Sequence, residues 1–360
     1  GESDSIGRQI YKHLMNGVSH MLPFVIGGGI LIALAFLLDD YSIDPSNFGK
    51  NTPLAAYLKT IGEQAFGMML PILAGFIAMS IADRPGLMVG FVGGSVASAG
   101  TTFASCFNPD VTVISGGFLG ALFAGFLAGY LVLALEKITE KMPDSMDGLR
   151  PMLIYPVVGL LLISVIMFAI NPFFSWLNQL LADALNSLSG ANSILLGVIL
   201  GGMMSIDMGG PFNKAAYVFG TASLAYQTEA GYMIMAAVMV GGMVPPIAIA
   251  ISSWVFKNKF TDNDRKTAPV NAIMGLCFIS EAAIPYAAGD PLHVIPSCVI
   301  GSAVAGALSM AFKCTLMAPH GGIFVFPVVG HALMYIVALL IGAIVGAIML
   351  GLLRKPVESK

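Results

Sequence analysis

Charged side chains are scarce in this sequence, because Asp, Glu, Lys and Arg make up only 10% of its 360 residues. A soluble domain carries about 25%. Hydrophobic residues make up 57% of the chain, and its mean hydropathy is +0.85. There is too little polar surface to cover the two or three soluble domains that this length would allow. The formal net charge of -3 provides no basic surface for nucleic acid. The composition predicts an integral membrane protein that does not bind nucleic acid.

Residues for self-contained catalysis are also missing. The chain has four cysteines, with no Cys-x-x-Cys pair and no zinc-like spacing, so we interpret them as small hydrophobic residues. No phosphate-binding loop, zinc-protease motif or nucleophile elbow occurs. We therefore expect no metal and no cofactor. Residues 1–20 are polar and lack a starting Met, so we also expect a piece of a longer chain.

Long uncharged runs indicate an all-α protein, because a membrane-spanning helix needs about 20 mostly apolar residues. With three further interrupted regions, the sequence predicts about 8–10 transmembrane helices plus broken or re-entrant segments. The uncharged runs are Leu22–Leu38, Ala65–Ala82, Gly86–Phe107, Val111–Leu135, Pro151–Ile170, Ala230–Phe256, Val294–Phe312 and Ala332–Leu353.

The positions of Lys and Arg predict the orientation. If the N-terminus is cytoplasmic, thirteen of these residues fall on the inner side, and both termini are cytoplasmic. They are Arg8, Lys12, Arg84, Lys137, Lys141, Arg150, Lys257, Lys259, Arg265, Lys266, Arg354, Lys355 and Lys360.

The chain divides into two halves of different character. Residues 1–190 contain regular spans, a tight turn at Ser80–Gly86, and an amphipathic segment over Asn171–Ser193 that we expect at the outer interface. The glycine pairs Gly116/Gly120 and Gly125/Gly129 suit either dimerisation or ordinary packing within the chain. Residues 191–360 contain the three interruptions. Irregular backbone at membrane depth is tolerated only where it is buried or lines a cavity, so this half is the predicted solute-binding half.

The first interruption lies within residues 204–217. Gly209, Gly210 and Pro211 stop a helix there, between Asp207 and Lys214. One interpretation is a structural Asp207–Lys214 ion pair, since buried charges usually pair. The other is that Asn213 and the freed backbone amides bind a polar solute.

The second and third interruptions carry isolated ionisable residues. Glu281 is bracketed by apolar residues, and a lone carboxylate at that depth costs about 2.5–3.5 kcal/mol on insertion scales. It should face a solute, or else Lys214 or His320. Because a carboxylate accepts from two hydroxyls at once, it suits a sugar. His320 lies in a Pro-His-Gly-Gly turn, and a neutral imidazole can both donate to and accept from a hydroxyl.

Several long strings resemble the fructose-type membrane permease, or IIC domain, of the bacterial phosphoenolpyruvate-dependent sugar phosphotransferase system. The resemblance extends from about Ile10 to Pro356. The strings are Gly201–Tyr217, Gly275–Tyr286, Leu316–Gly322, Gly67–Gly86 and Gly241–Pro246.

The resemblance implies a function in the bacterial inner membrane. Such a permease binds fructose from outside and presents it to a IIB phosphocysteine, which forms fructose 1-phosphate. The resemblance also implies a homodimer with an N-terminal scaffold half (1–190) and a C-terminal transport half (191–360) that moves as an elevator. By motif position, Glu281 and His320 match the sugar-contacting residues. The expected substrate-binding set is Glu281, His320, Asn213, Lys214, Asp207, Gly210 and Gly321.

Other functions remain open from the residues alone. An ion- or proton-coupled secondary sugar transporter could use Asp207, Lys214 and Glu281 as a relay. A phosphotransferase-system permease for mannitol or a mannosyl compound could share this sequence pattern, because a few contacts decide which hydroxyl is recognised. A membrane sensor that binds sugar without transporting it is a weaker third hypothesis.

Overall fold

A computed structural model describes residues 5–40, 42–44 and 47–357. These residues are mainly helical, and the only β-type pairing among them is an antiparallel bridge between Thr315 and Gly330. A π-helix over Arg150–Val158 leads directly into α6. The helices are α1 Ile6–Leu38, α2 Pro53–Gly67, α3 Met69–Ala99, α4 Phe103–Phe107, α5 Gly117–Thr139, α6 Gly159–Asn186, α7 Gly190–Ile206, α8 Pro211–Leu224, α9 Glu229–Val255, α10 Asp262–Leu276, α11 Ile284–Gly289, α12 Pro291–Ala311 and α13 Ala332–Leu353.

Seven helical stretches within the described ranges are long and apolar enough to cross a membrane. The all-α membrane architecture that the sequence predicts is therefore confirmed. One of the seven, Pro53–Ala99, contains a reversal of the chain, and α7 is a shorter apolar helix outside the seven. Counting the two arms of α3 separately and including α7 gives a total within the expected eight to ten.

The reversal in α3 is the tight turn predicted at Ser80–Gly86. Ala82 and Asp83 leave the helical region, and Asp83 has φ 60° and ψ -153°. The second arm packs on the first, because a Cβ added at Gly90 would lie 2.7 Å from the Ala74 carbonyl oxygen. The predicted turn is confirmed, and it converts α3 into an antiparallel hairpin.

The described chain forms two compact units. Unit 1 consists of the chain up to Gly28 and of Ile61–Ala184, and unit 2 consists of Gly29–Thr60 and the chain from Leu185 onward. The division after residue 190 that we expect between scaffold and transport halves is functional, and it stays a prediction. Gly29–Thr60 groups with the later part of the chain, and no local pattern in the sequence indicates this.

Unit 1 packs through small residues. A Cβ at Gly125 would lie 2.8 Å from the Ala74 carbonyl oxygen, and one at Gly129 would lie 2.7 Å from Ile81 Cβ. The Gly116 N–H donates to the Ala97 carbonyl at 2.8 Å. These glycines are used for contacts within the chain, which is the packing interpretation of the Gly-xxx-Gly pairs.

Residues 171–186 differ from the expected separate interfacial segment over Asn171–Ser193. They continue α6, which ends at Asn186. Asn171 is fully buried, and its Nδ2 donates to the carbonyls of Val96 (3.2 Å) and Thr101 (2.7 Å). This polar side chain satisfies backbone carbonyls at the end of α3, and these hydrogen bonds keep the helix packed in unit 1 at Asn171.

Unit 2 is built around α9, in which 94% of the residues in the most apolar stretch are buried. A Cβ at Gly197 in α7 would lie 2.5 Å from the Gly306 carbonyl oxygen in α12, so these two backbones touch. Ser302 of α12 hydrogen-bonds the Ser205 hydroxyl of α7 and donates to the Gly241 carbonyl of α9. Three helices are thus fixed to one another at one level of the unit.

The loop that follows α1 is organised by one carboxylate. Asp39 accepts hydrogen bonds from the backbone N–H groups of Gly49 (2.6 Å) and Thr52 (3.0 Å) and from Asn51 Nδ2 (3.1 Å). Desolvation raises the pKa of Asp39, but the hydrogen bonds from the Asn51, Gly49 and Thr52 amides outweigh it and lower the pKa overall. The charged form of Asp39 therefore holds this loop closed.

A lowered pKa makes the stability of this loop depend on pH in a defined direction. The contribution of Asp39 is present above its unfolded pKa of about 3.9 and is lost as the pH falls through the lower folded value. We expect the Gly49 and Thr52 amides to exchange slowly with solvent between pH 7 and pH 5, and their protection to decline below about pH 4. Hydrogen exchange of wild type and Asp39→Asn checks this, since the variant should lack protection at every pH. Equal protection in both proteins would contradict the role of Asp39.

Candidate functional site

All three interruptions that the sequence predicts are present in unit 2. The first separates α7 from α8, and Gly209 within it has φ +90°. The second follows α10 and consists of Cys277–Ile279 and a 3₁₀ turn over Ser280–Ala283. The third joins α12 to α13 across residues 312–331. Most of the predicted site residues lie on irregular backbone, as we expected, but Asn213 and Lys214 lie in the first turn of α8.

Asp207 joins the two sides of the first interruption. Its Oδ2 accepts from the Phe212 N–H at 2.8 Å, and its Oδ1 accepts from the Asn213 N–H at 2.9 Å. A carboxylate at the start of a helix satisfies free amides and interacts favourably with the helix dipole. Gly210 is needed here, because a Cβ there would lie 2.8 Å from the Asp207 carboxylate. Asp207 thus caps α8.

The two polar residues that follow have different surroundings. Asn213 is buried, and its Nδ2 donates to the Met204 carbonyl of α7 at 2.8 Å. Lys214 is half-buried and makes no ion pair with any described residue. The structural Asp207–Lys214 pair is therefore not formed in this structure, because backbone amides occupy both Asp207 oxygens.

The capping role leads to a testable prediction for Asp207 and Lys214. Asp207→Ala should lower the free energy of unfolding by about 1 kcal/mol, as expected for loss of a helix cap. Since the two side chains are not paired, Lys214→Ala should add to this loss independently, within about 0.5 kcal/mol. Thermal unfolding of both single variants and the double variant in detergent measures the coupling. A coupling free energy of more than about 1 kcal/mol would show that Asp207 and Lys214 form an ion pair after all, and would contradict this prediction.

Glu281 is the residue through which the second interruption contacts the first. A Cβ added at Gly209 would lie 3.1 Å from Glu281 Oε1, so the carboxylate rests against the Gly209 backbone. The side chain is exposed, and it forms neither a hydrogen bond nor an ion pair with any residue that the structure describes. The alternative in which Lys214 or His320 neutralises Glu281 is not formed here. Glu281 is available to accept hydrogen bonds from a ligand.

Phe278 connects the second interruption to the third. It has φ 63°, and a Cβ at Gly321 would lie 2.5 Å from its Cδ2. A Cβ at Gly242 in α9 would overlap the opposite end of the ring. Phe278 is a site residue that the sequence reasoning missed, because an aromatic residue in an apolar run carries no signal of such a position. Gly321 contacts Phe278, and its predicted part in substrate binding stays a prediction.

His320 is oriented by its own turn. Its Nδ1 lies 2.6 Å from the Gly321 carbonyl oxygen. Because a carbonyl only accepts, Nδ1 donates, and the neutral ring keeps Nε2 as an acceptor. Nε2 has no partner among the described residues. The turn is also held from α8, where the Tyr217 hydroxyl donates to the Pro319 carbonyl.

The second interruption therefore contacts both the first and the third, and α8, which follows the first, also contacts the third. Gly209 meets Glu281, Phe278 meets Gly321, and Tyr217 meets Pro319. The junction presents a carboxylate and an imidazole nitrogen, both without partners in the part of the chain that the structure describes. No cluster of three or more His, Cys, Asp or Glu that could hold a metal ion occurs among the described residues. These two groups can form hydrogen bonds with a polar, hydroxyl-rich solute.

Comparison with known proteins gives one matching family model and several similar proteins. The family model described as "Phosphotransferase system, EIIC" matches residues 15–301. The "PTS system fructose-specific EIIABC component" of Bacillus subtilis (strain 168) is 49% identical, over 100% of this chain and 54% of the relative. The "Fructose permease IIC component" of Bacillus amyloliquefaciens is 49% identical, over 89% of this chain and 100% of the relative.

A third relative has another component order in its name. The "PTS system fructose-specific EIIB'BC component" of Xanthomonas campestris pv. campestris is 49% identical, over 97% of this chain and 58% of the relative. The chain thus spans little more than half the length of two of these three relatives.

Proposed function

Because the chain belongs to the EIIC family of the phosphotransferase system, we propose that it is a membrane permease that binds fructose, or a close ketose, at the junction of the three interruptions. The observation that carries this proposal is the Glu281 carboxylate, which rests on Gly209 without any partner among the described residues. Relatives named as fructose permeases at 49% identity support the choice of sugar.

The residues of the junction have different proposed roles. Glu281 accepts hydrogen bonds from two sugar hydroxyls, and His320 Nε2 accepts one more. Lys214, whose charge is not paired in the described structure, donates to an oxygen of the sugar. Asp207 and Asn213 position α8 through its first turn. Gly210 and Gly321 allow close approach of the backbones.

The phosphoryl group comes from a partner in this proposal. A IIB phosphocysteine transfers it: the sulfur–phosphorus bond breaks, a sugar hydroxyl oxygen bonds to phosphorus, and the hydroxyl proton leaves to water or a base. The products are fructose 1-phosphate and a free IIB thiolate. Relatives whose names join B and C components support such a partner. This chain's Cys298 and Cys314 are buried, and the exposed Cys106 has no Lys, Arg or His within ten residues of it in the sequence, so neither setting suits a phosphoryl carrier.

The assembly and its movement are further parts of the proposal. We propose a homodimer in the bacterial inner membrane, with both termini cytoplasmic. The clustering of Lys and Arg on one side of the predicted spans supports this orientation. Residues 191–360 carry the sugar as a moving body, and residues 1–190 serve as the scaffold.

Uptake into vesicles tests the proposal against an ion-coupled transporter. Vesicles containing the chain receive phosphorylated IIB on the inside and labelled fructose on the outside. We expect fructose 1-phosphate to accumulate only with phosphorylated IIB, and collapse of proton and sodium gradients to leave the rate unchanged. Parallel assays with mannitol and mannose should give less product. Uptake that needs a gradient and ignores IIB would overturn the proposal.

A further inference from the structure

Unit 2 contains a cavity of mixed polar and apolar lining, formed in part by residues that follow Glu281 in the chain. Its volume is about 470 Å³, within the range of about 300–1,000 Å³ typical of small-molecule sites. Ala282, Pro285 and Tyr286 form one wall. These residues follow Glu281 directly, so one short turn of chain separates the cavity from the junction. We call it the Tyr286 cavity.

Hydrogen bonds fix the polar wall of the Tyr286 cavity. The Tyr286 hydroxyl lies 2.6 Å from Thr267 Oγ1 and accepts from Asn271 Nδ2 at 2.7 Å. Thr267 Oγ1 in turn donates to backbone carbonyls of its own helix. The tyrosine ring is therefore held at its hydroxyl end, and its position is set before any ligand arrives.

Asn271 has an unused acceptor in this cavity. The residue is only 7% exposed, and it lines the cavity. Its Nδ2 is bonded to Tyr286, but its carboxamide oxygen has no hydrogen-bond partner within the described part of the chain. This oxygen is not sealed from solvent, so it can accept a hydrogen bond from a ligand hydroxyl in the cavity.

The charged residues that line the cavity favour a neutral ligand over an anion, and the basic Arg265 and Lys266 lie outside this lining. Asp264 and Asp290 contribute two carboxylates, and Arg354 is the one cation in the lining that the structure describes. Arg354 Nε already lies 3.3 Å from Asp290 Oδ2. A phosphate would therefore meet net negative charge, whereas hydroxyl groups would meet amide, phenol and carboxylate partners.

The cavity lies where the chain concentrates its basic residues. Arg354 follows α13, and Arg265 and Lys266 lie on α10 beside Thr267. The positive-inside rule places this end of unit 2 at the cytoplasmic face. Under the proposed function, a phosphoryl donor would approach from this cytoplasmic face.

We infer that the Tyr286 cavity is a second, cytoplasmic binding site for the unphosphorylated sugar. It holds the sugar after release from Glu281 and before phosphoryl transfer, and it rejects the phosphorylated product. This inference rests on the proposed function, and it adds a subsite that discriminates by charge.

Calorimetric titration of the full chain in detergent with fructose tests the inference. Wild type should show a tight and a weak class of sites. Glu281→Gln should remove the tight class and leave the weak one. Asn271→Leu should weaken the weak class about tenfold, since it removes one hydrogen-bonding partner, and should change the tight class less than twofold. The matched control Asn258→Leu makes the same substitution at an exposed residue outside the lining and should change neither class.

A second variant and a competition experiment test the same site independently. Tyr286→Phe keeps the ring and removes only the hydroxyl, and it should weaken the weak class as Asn271→Leu does, so it replaces that variant if the latter fails to fold. In the Glu281→Gln background, inorganic phosphate and fructose 1-phosphate should not compete with fructose. Competition at equal concentration would overturn the assignment to a neutral sugar.

The failure of this inference can be told apart from the failure of the proposed function. If wild type binds fructose but Glu281→Gln shows no residual binding, the second site does not exist and the permease proposal stands. The same holds if Asn271→Leu and Tyr286→Phe leave residual binding unchanged. If folded wild type binds no hexose or polyol at all, the proposed function itself fails.

Discussion

Glu281→Gln should weaken tight fructose binding at least about 100-fold while the protein remains folded. A carboxylate that accepts from two sugar hydroxyls makes two charge-assisted hydrogen bonds, each contributing about 1.5–3 kcal/mol. A loss of about 2.7 kcal/mol corresponds to about 100-fold in affinity. Because the Glu281 side chain is exposed and unpaired among the described residues, its replacement leaves no buried partner behind.

Calorimetric titration with fructose, mannitol, mannose and glucose measures this effect and the specificity together. Glu140→Gln provides the matched control, because it removes the same charge from an exposed residue of unit 1. The control should bind fructose as wild type does. Tight binding by Glu281→Gln would remove Glu281 from the site. Tight binding of mannitol in preference to fructose would change the proposed substrate.

Gly321→Ala should reduce fructose uptake at least about tenfold. Its new Cβ would lie 2.5 Å from Phe278 Cδ2, and the ring cannot move away because Gly242 lies against its other end. Overpacking of this kind typically costs about 1–3 kcal/mol and moves the backbone. The movement would separate the turn that holds His320 from the segment that holds Glu281. Rates of fructose 1-phosphate formation in vesicles measure the loss.

A second substitution distinguishes this explanation from a general defect. Phe278→Ala in the Gly321→Ala background removes Cγ and Cδ2, the two atoms nearest the new Cβ at 2.6 and 2.5 Å, and should restore part of the uptake. Gly67→Ala serves as the control, since a Cβ there meets no atom within 4 Å. If Phe278→Ala and Gly321→Ala reduce uptake independently, with no recovery in the double variant, Phe278 does not connect the two interruptions.

Local chemistry in the sequence predicts the three interruptions, because Gly, Pro and charged residues within apolar runs stop helices wherever the chain goes. The turn at Asp83 follows from the same reasoning. The contacts between distant segments do not follow from it. Phe278 looks like any lipid-facing aromatic until Gly242 and Gly321 are brought to its ring. Gly29–Thr60 joins unit 2 through contacts far along the chain.

Two polar residues were harder to interpret for a different reason. Asp207 and Lys214 lie seven positions apart, and a pair is the ordinary expectation for charges in an apolar region. The backbone amides at the start of α8 are stronger competitors, because they are fixed close to Asp207 by the turn itself. The sequence shows both charges but not the orphan amides, which exist only once α8 begins at Pro211.

The close packing of α7 on α12, with the Ser205–Ser302–Gly241 hydrogen bonds, has a consequence for the direction of transport. The helix α7, which ends next to Asp207, packs backbone against backbone on α12 and moves with it as one block. Under the proposed function, such a block carries the sugar between the two sides without itself supplying energy. A site that moves in this way can only equalise the sugar concentrations, whatever its affinity on each side. Net accumulation must then come from chemical consumption of the sugar on one side, so the phosphoryl donor supplies the direction as well as the product.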